Sequence, residues 1–135
     1  MIQRVHHIDF VVRDLDRAVE RYSKLFGRPP GARESLPERG VELVRFDLGN
    51  VWVILVQPIR SDSPVADFLV RHGEGFFHIG YQVDDVMAEA ERLREEEIGL
   101  VNPMPRTGVE GWKLIDIAPD EAAGVWSQLV QVNAD

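Results

Sequence analysis

The sequence predicts an α+β fold: two βαβββ modules forming a cupped, pseudo-twofold mixed sheet with helices on the outside. Two internal echoes carry this reading. The stretch Val5-His6-His7-Ile8-Asp9-Phe10-Val11-Val12 returns 71 positions later, so that His7 matches His78, Ile8 Ile79, Phe10 Tyr81, Val12 Val83 and Asp14 Asp85. Trp52-Val53-Ile54-Leu55-Val56-Gln57 returns as Trp126-Ser127-Gln128-Leu129-Val130-Gln131, at an offset of 74. Two copies of one long unit imply a duplicated module rather than a solenoid, and one domain over 1–135 with repeat halves at about 4–72 and 75–132.

Local patterns supply the elements in order. Residues 4–12 alternate, with His7, Asp9 and Val11 on one face and Ile8, Phe10 and Val12 on the other, which is strand periodicity. Asp14-Leu15-Asp16 opens a helix whose apolar stripe is Leu15, Ala18, Val19, Tyr22, Leu25 and Phe26, and Gly27 ends it. Residues 31–40 read as a polar loop, Val41 to Leu48 as a strand, Gly49-Asn50 as a turn and Val51 to Gln57 as a buried strand. Ser61-Asp62-Ser63-Pro64 starts a short helix, and Gly73-Glu74-Gly75 separates the halves. The second half repeats the plan. It has a strand from about Phe77 to Val83 and a helix from about Val86 to Glu97, with Met87, Ala90, Leu93 and Arg94 on one stripe and Gly99 as its stop. A loop, a strand Lys113–Ile117, a turn and a last strand Val125 to Val132 follow.

Composition narrows the function. The apolar fraction is 44%, the charged fraction 28%, and the net charge −8 with a pI near 5.0. A chain so acidic lacks the basic surface that nucleic acid requires, although a few local arginines can still hold an anionic small molecule. Without cysteine there is no disulfide, no thiol catalysis and no thiolate zinc site. There is no basic-then-apolar leader and no apolar run of membrane-spanning length, so no membrane partner and a cytoplasmic location are the expectation.

The strand alternation gathers polar residues on one face of each half: His7 and Asp9 in the first, His78, Gly80 and Gln82 in the second. Trp52, Ile54 and Val56 share one face of a later strand, matched by Trp126, Gln128 and Val130. Two imidazoles at repeat-equivalent positions suit a divalent metal, since neutral histidine is the commonest metal ligand. Asp9 suits a replacement ligand, a partner to an imidazole, or a general base. Trp52, Ile54, Gln82 and Trp126 are candidate walls of a substrate pocket. Glu38 and Glu42 read as solvated charges.

The chain resembles the vicinal oxygen chelate superfamily of glyoxalases, bleomycin-resistance proteins, extradiol dioxygenases and methylmalonyl-CoA epimerases, with the epimerase branch nearest. The resemblance rests on His7-Ile8, Glu38-Arg39-Gly40-Val41, Leu48-Gly49-Asn50, Asp62-Ser63-Pro64 with Phe68-Leu69, Gly73-Glu74-Gly75-Phe76-Phe77-His78-Ile79, and Gly124-Val125 before Leu129-Val130-Gln131. It implies paired modules around a divalent metal (Co, Mn, Ni, Zn or Fe), a small carbonyl or acyl-thioester substrate, metal-stabilised enolate chemistry of isomerase or lyase type, and a homodimer. Its ligand positions fall on His7, residue 54, His78 and residue 128. There the resemblance implies Glu or Gln at 54 and Glu at 128, whereas this chain has Ile54 and Gln128. Ile54 offers no lone pair, and Gln128 can coordinate only through a neutral carbonyl oxygen and cannot exchange a proton. That leaves His7, His78 and Gln128 as metal ligands with Asp9 beside them, and it argues against ordinary epimerisation, which needs an acid and a base on opposite faces. Two alternatives stand: a non-catalytic ligand-binding module of the bleomycin-resistance kind, and an Fe(II) dioxygenase of the extradiol kind.

Overall fold

The computed structural model describes residues 1–132; the last three positions of the expected 1–135 domain lie outside the described residues. The elements are β1 (Arg4–Val11), α1 (Leu15–Phe26), β2 (Arg33–Leu36), β3 (Val41–Asp47), β4 (Trp52–Pro58), α2 (Pro64–His72), β5 (Gly75–Gln82), α3 (Val86–Glu95), β6 (Arg106–Thr107), β7 (Lys113–Ile117) and β8 (Trp126–Gln131). The βαβββ order occurs twice, with α2 between the copies. The chain forms two compact units, one of His7–Phe77 and one of Met1–His6 with the chain from His78 on. No helix among the described residues is long and apolar enough to cross a membrane.

In the unit of His7–Phe77 the strand order is β2-β3-β4-β1. β4 runs parallel to β1 with His7 opposite Trp52 and Asp9 opposite Ile54, and antiparallel to β3 with Arg45 opposite Ile54. Helix α1 lies against this sheet because its apolar stripe meets the Phe10 and Val12 side of β1. Leu15, Val12, Val44, Phe46, Val53 and Leu55 form the buried cluster, and Ala18, Val19, Tyr22 and Phe26 pack on it. The helix starts where Asp14 accepts a hydrogen bond from the Arg17 amide. A second acceptor comes from the far strand: the Leu15 amide donates to Gln57 Oε1 at 2.8 Å. Gly27 ends the helix in the left-handed region (φ 65°), where a side chain would be strained.

The other unit repeats this construction, with strand order β5-β8-β7-β6. β8 runs parallel to β5 with His78 opposite Trp126 and Gly80 opposite Gln128, and antiparallel to β7 with Asp116 opposite Gln128. Val83, Val86, Ala90, Ile115, Ile117 and Leu129 are its buried cluster. Asp85 caps α3 by accepting from the Met87 and Ala88 amides, and the Val86 amide donates to Gln131 Oε1 at 2.9 Å. Gln57 and Gln131 close the repeated Trp-to-Gln stretch, and each ties a helix start to a strand end.

Several expectations are corrected. The loop expected over 31–40 contains β2, and the loop before Lys113 contains β6; both are short polar edge strands whose composition resembles loop. Leu25 is not part of the packed stripe of α1 and is exposed. Helix α3 ends at Glu95 rather than Glu97. Glu97, not Gly99, takes the left-handed turn (φ 61°). Its buried face is Val86, Glu89 and Ala90, while Met87 is exposed and Arg94 reaches out to the Pro103 carbonyl. An acid can occupy that face because the Glu89 carboxylate takes hydrogen bonds from Arg92 and from the Met1 ammonium. Burial by itself pushes this carboxyl up, but the hydrogen bonds from Arg92 and the N-terminus outweigh it, and the net direction is below the ordinary 4.5.

Two outcomes follow from these contacts. Gln57→Ala and Gln131→Ala each strand a helix amide and should each lower stability by about 1–2 kcal/mol, seen as an earlier urea midpoint at unchanged slope; no shift in either would mean that water serves equally well. Because the Glu89 carboxyl is held below its ordinary value, its contribution is complete above about pH 4.5 and lost as the pH falls through the lower folded value. Melting curves of the parent chain and Glu89→Gln should therefore differ most near neutral pH and converge in acid, and parallel curves at all pH values would contradict this assignment.

Candidate functional site

In the unit of His7–Phe77, β1 and β4 set four candidate residues side by side. Parallel pairing puts side chains at partnered positions on the same side of the sheet, so His7, Asp9, Trp52 and Ile54 share a face. His7 and Ile54 are buried, and Asp9 is only 6% exposed. His7 Nε2 and Asp9 Oδ1 are 3.9 Å apart, beyond hydrogen-bond reach of each other. Two metal bonds of about 2.1 Å can span such a gap.

The neighbouring strand β3 brings a cation that the sequence reading missed. Arg45, opposite Ile54, is buried; its Nε donates to Glu34 Oε2 at 2.7 Å and its Nη2 to Glu34 Oε1 at 3.2 Å. The guanidinium carbon also lies 4.7 Å from the centroid of the Trp52 ring. Trp52 and Arg45 line a surface recess of about 420 Å³ with Arg28, Pro30 and Asp47. The available signal was an arginine at an inward position of the apolar run Val41 to Phe46. Glu42 is held by Arg33 at 3.0 Å, and Glu38 is exposed.

The second unit carries the equivalent positions with different chemistry. His78 is half-buried opposite Trp126, and Trp126 is 41% exposed. Gln82 is half-buried, and its Oε1 accepts from Arg4 Nε at 2.9 Å. Gly80 stands where the first unit has Asp9, and Gln128 where it has Ile54. Gln128 is 3% exposed and donates from Nε2 to Asp116 Oδ1 at 3.0 Å. Asp116 is clasped by Arg106, Nε to Oδ2 at 3.0 Å and Nη2 to Oδ1 at 3.2 Å, while its amide donates to Asn102 Oδ1. His6, unassigned by the sequence reading, is buried edge-on to Trp112 at 4.5 Å.

The flanking ion pairs are inverted between the units. The strand beside Ile54 presents Arg45, with its carboxylate partner Glu34 on β2; the strand beside Gln128 presents Asp116, with its guanidinium partner Arg106 on β6. Position 54 therefore faces a cation on its neighbour and position 128 an anion.

Chemically, the first unit offers an imidazole and a carboxylate and the second an imidazole and an amide; imidazole suits a borderline divalent ion better than a hard one.

Known proteins match the chain along most of its length. The sequence pattern of the Glyoxalase/Bleomycin resistance protein/Dioxygenase superfamily matches residues 6–115. Methylmalonyl-CoA epimerase of Bos taurus mitochondria is 33% identical over 129 residues, 95% of this chain and 74% of the relative. Ethylmalonyl-CoA/methylmalonyl-CoA epimerase of Cereibacter sphaeroides is 31% identical over 134 residues, 98% of this chain and all of the relative. A variant of Streptomyces coelicolor methylmalonyl-CoA epimerase, solved with 2-nitronate-propionyl-CoA, is 31% identical and superposes with a TM-score of 0.92 over 99% of this chain and 97% of its own. The chain belongs to the Glyoxalase/Bleomycin resistance protein/Dioxygenase superfamily, has the vicinal oxygen chelate fold, and counts methylmalonyl-CoA epimerases among its relatives.

Proposed function

We propose that this chain is a metal-dependent enzyme acting on the carbon next to the thioester carbonyl of a small acyl-CoA, with His7, His78 and the Gln128 carbonyl oxygen as metal ligands and Asp9 as the proton-accepting group. The observation that carries the reading is the donor set itself. In the unit of His7–Phe77, His7 Nε2 and Asp9 Oδ1 are buried 3.9 Å apart, and His78 and Gln128 stand in the other unit at the positions equivalent to 7 and 54. Support also comes from the relatives, whose names specify acyl-CoA epimerisation.

A divalent cation held there supplies electrostatic stabilisation to a carbonyl oxygen that gains negative charge. His7 and Asp9 are then adjacent on one strand, so a carboxylate stands beside the carbonyl-polarising position. Burial of Asp9 keeps bulk water from competing for its lone pairs. Gln128 cannot take up or release a proton and Ile54 carries no polar atom, so Asp9 works without a second carboxylate at either repeat-equivalent position. One base returns the proton to the face it came from. Exchange of the α-hydrogen with solvent should therefore outrun inversion of the centre.

The test combines metal content with isotope exchange. Protein purified without chelator should carry about one divalent ion per chain, and His7→Ala and His78→Ala should lose it; parent protein that takes up none of Mn, Fe, Co, Ni or Zn refutes the reading. With methylmalonyl-CoA in deuterated water, label should enter faster than the optical signal decays. Asp9→Asn should slow label entry by about 10²–10⁴-fold with the bound ion retained, and loss of the ion instead would make Asp9 a ligand rather than a base.

One observation favours a second reading. Buried Ile54 puts an apolar surface at a ligand position, as a non-catalytic binding module would. Tight acyl-CoA binding unchanged by His7→Ala and His78→Ala, with no label entry, would select it.

A further inference from the structure

Resting on the proposed metal role of Gln128, we infer that Asp116, held by Arg106, is a positioning residue that fixes the Gln128 amide with its nitrogen inward and its carbonyl oxygen presented as a ligand. An amide on a strand has two orientations related by a half-turn, differing in which atom it offers. Ordinarily they are close in energy. Here they are not, because a carboxylate only accepts hydrogen bonds. The Gln128 nitrogen sits 3.0 Å from Asp116 Oδ1, and turning the amide would set two acceptor oxygens against each other in a nearly water-free place.

Arg106 makes the arrangement one-directional. Its fork binds both carboxylate oxygens at 3.0 and 3.2 Å, so the Asp116 side chain cannot swing away. The backbone is pinned as well, since the Asp116 amide donates to Asn102 Oδ1 at 2.7 Å. The same geometry accounts for glutamine at 128. A glutamate there would put a second carboxylate about where the amide nitrogen now donates, with the single Arg106 to serve both. Asp116 thereby sets what position 128 offers, a neutral oxygen.

Asp116→Asn is the discriminating change. Arg106 would claim the remaining carbonyl oxygen of the new side chain, turning its NH2 toward Gln128, and the Gln128 amide should flip to accept from it. Its own nitrogen would then replace the ligand oxygen. Cobalt affinity by titration calorimetry should fall about 10–100-fold, as it should in Gln128→Ala, and adding Asp116→Asn to Gln128→Ala should cost nothing more. The side-chain amide signal of Gln128 in ¹⁵N–¹H spectra, assigned by its loss in Gln128→Ala, should move in Asp116→Asn. Gln128→Glu should melt earlier than the parent, and Asp116→Asn in that background should restore it. An unmoved amide signal with unchanged cobalt affinity overturns the inference, as does strict additivity of the two substitutions. Should Asp116→Asn fail to fold, trans-hydrogen-bond coupling from Gln128 Nε2 to the Asp116 carboxyl in the parent protein decides the matter, its absence counting against us. Parent protein that binds no cobalt defeats the metal reading alone; the amide signal then still decides the orientation.

Discussion

Parallel pairing between the first and last strands of each module is the constraint on which the rest depends. A strand shows alternate side chains to opposite faces, so a slip of one residue would exchange every polar candidate for its apolar neighbour. The register is held from both ends. Inside each unit the apolar positions Leu55 and Leu129 are completely buried, and neither could turn to the other face without opening a cavity. At the strand ends Gln57 and Gln131 bond the first amides of α1 and α3. Helix, strand and side-chain direction are thus set together. A residue at position 7 or 78 has no freedom in which neighbour it faces: a tryptophan stands opposite in both units.

Much of this was legible because duplication repeats the physical requirements along with the residues. The matched Asp14 and Asp85 are helix caps, the matched Gln57 and Gln131 are helix clamps, and the matched histidines have matched cross-strand partners. What stayed hidden has no echo in the sequence. Strands β2 and β6 are short, polar and at sheet edges, where exposure removes the alternation that marks a strand. The packed face of α3 keeps Ala90 and Leu93 of the expected stripe but takes Val86 and Glu89 in place of Met87 and Arg94, and its two cationic partners make Glu89 compatible with burial. Asp116, Arg106, Arg45 and Glu34 have no sequence signature beyond a charge in or beside an apolar run. Their pairing requires strands that only the fold brings next to each other.

The two halves share a frame but not a charge distribution. On the face that carries the histidines, the first unit has a carboxylate at position 9 and an apolar residue at 54; the second has no side chain at 80 and an amide at 128. Asp9 and Ile54 are cross-strand partners, so the one carboxylate among these positions stands a single strand spacing from the position where the resemblance implied a ligand. Burying it beside His7 costs desolvation, which a nearby imidazole or cation offsets and an isoleucine does not.

The inverted ion pairs explain why the two ligand-equivalent positions diverged in different directions. Next to Gln128 the fixed charge is the Asp116 carboxylate, which welcomes a hydrogen-bond donor and repels an acid. Next to Ile54 the fixed charge is the Arg45 guanidinium, already bound by Glu34 and lying beside Trp52. An acid at 128 would meet the Asp116 carboxylate, and an acid at 54 would meet Arg45 on one side and the Asp9 carboxylate on the other. Isoleucine at 54 avoids setting a second carboxylate against Asp9. With Arg45 bound to Glu34 and lying beside Trp52, the hydrocarbon at 54 leaves that ion pair undisturbed. The amide at 128 suits its neighbour's charge and the hydrocarbon at 54 its neighbour's commitments, while Asp9 belongs to neither ion pair.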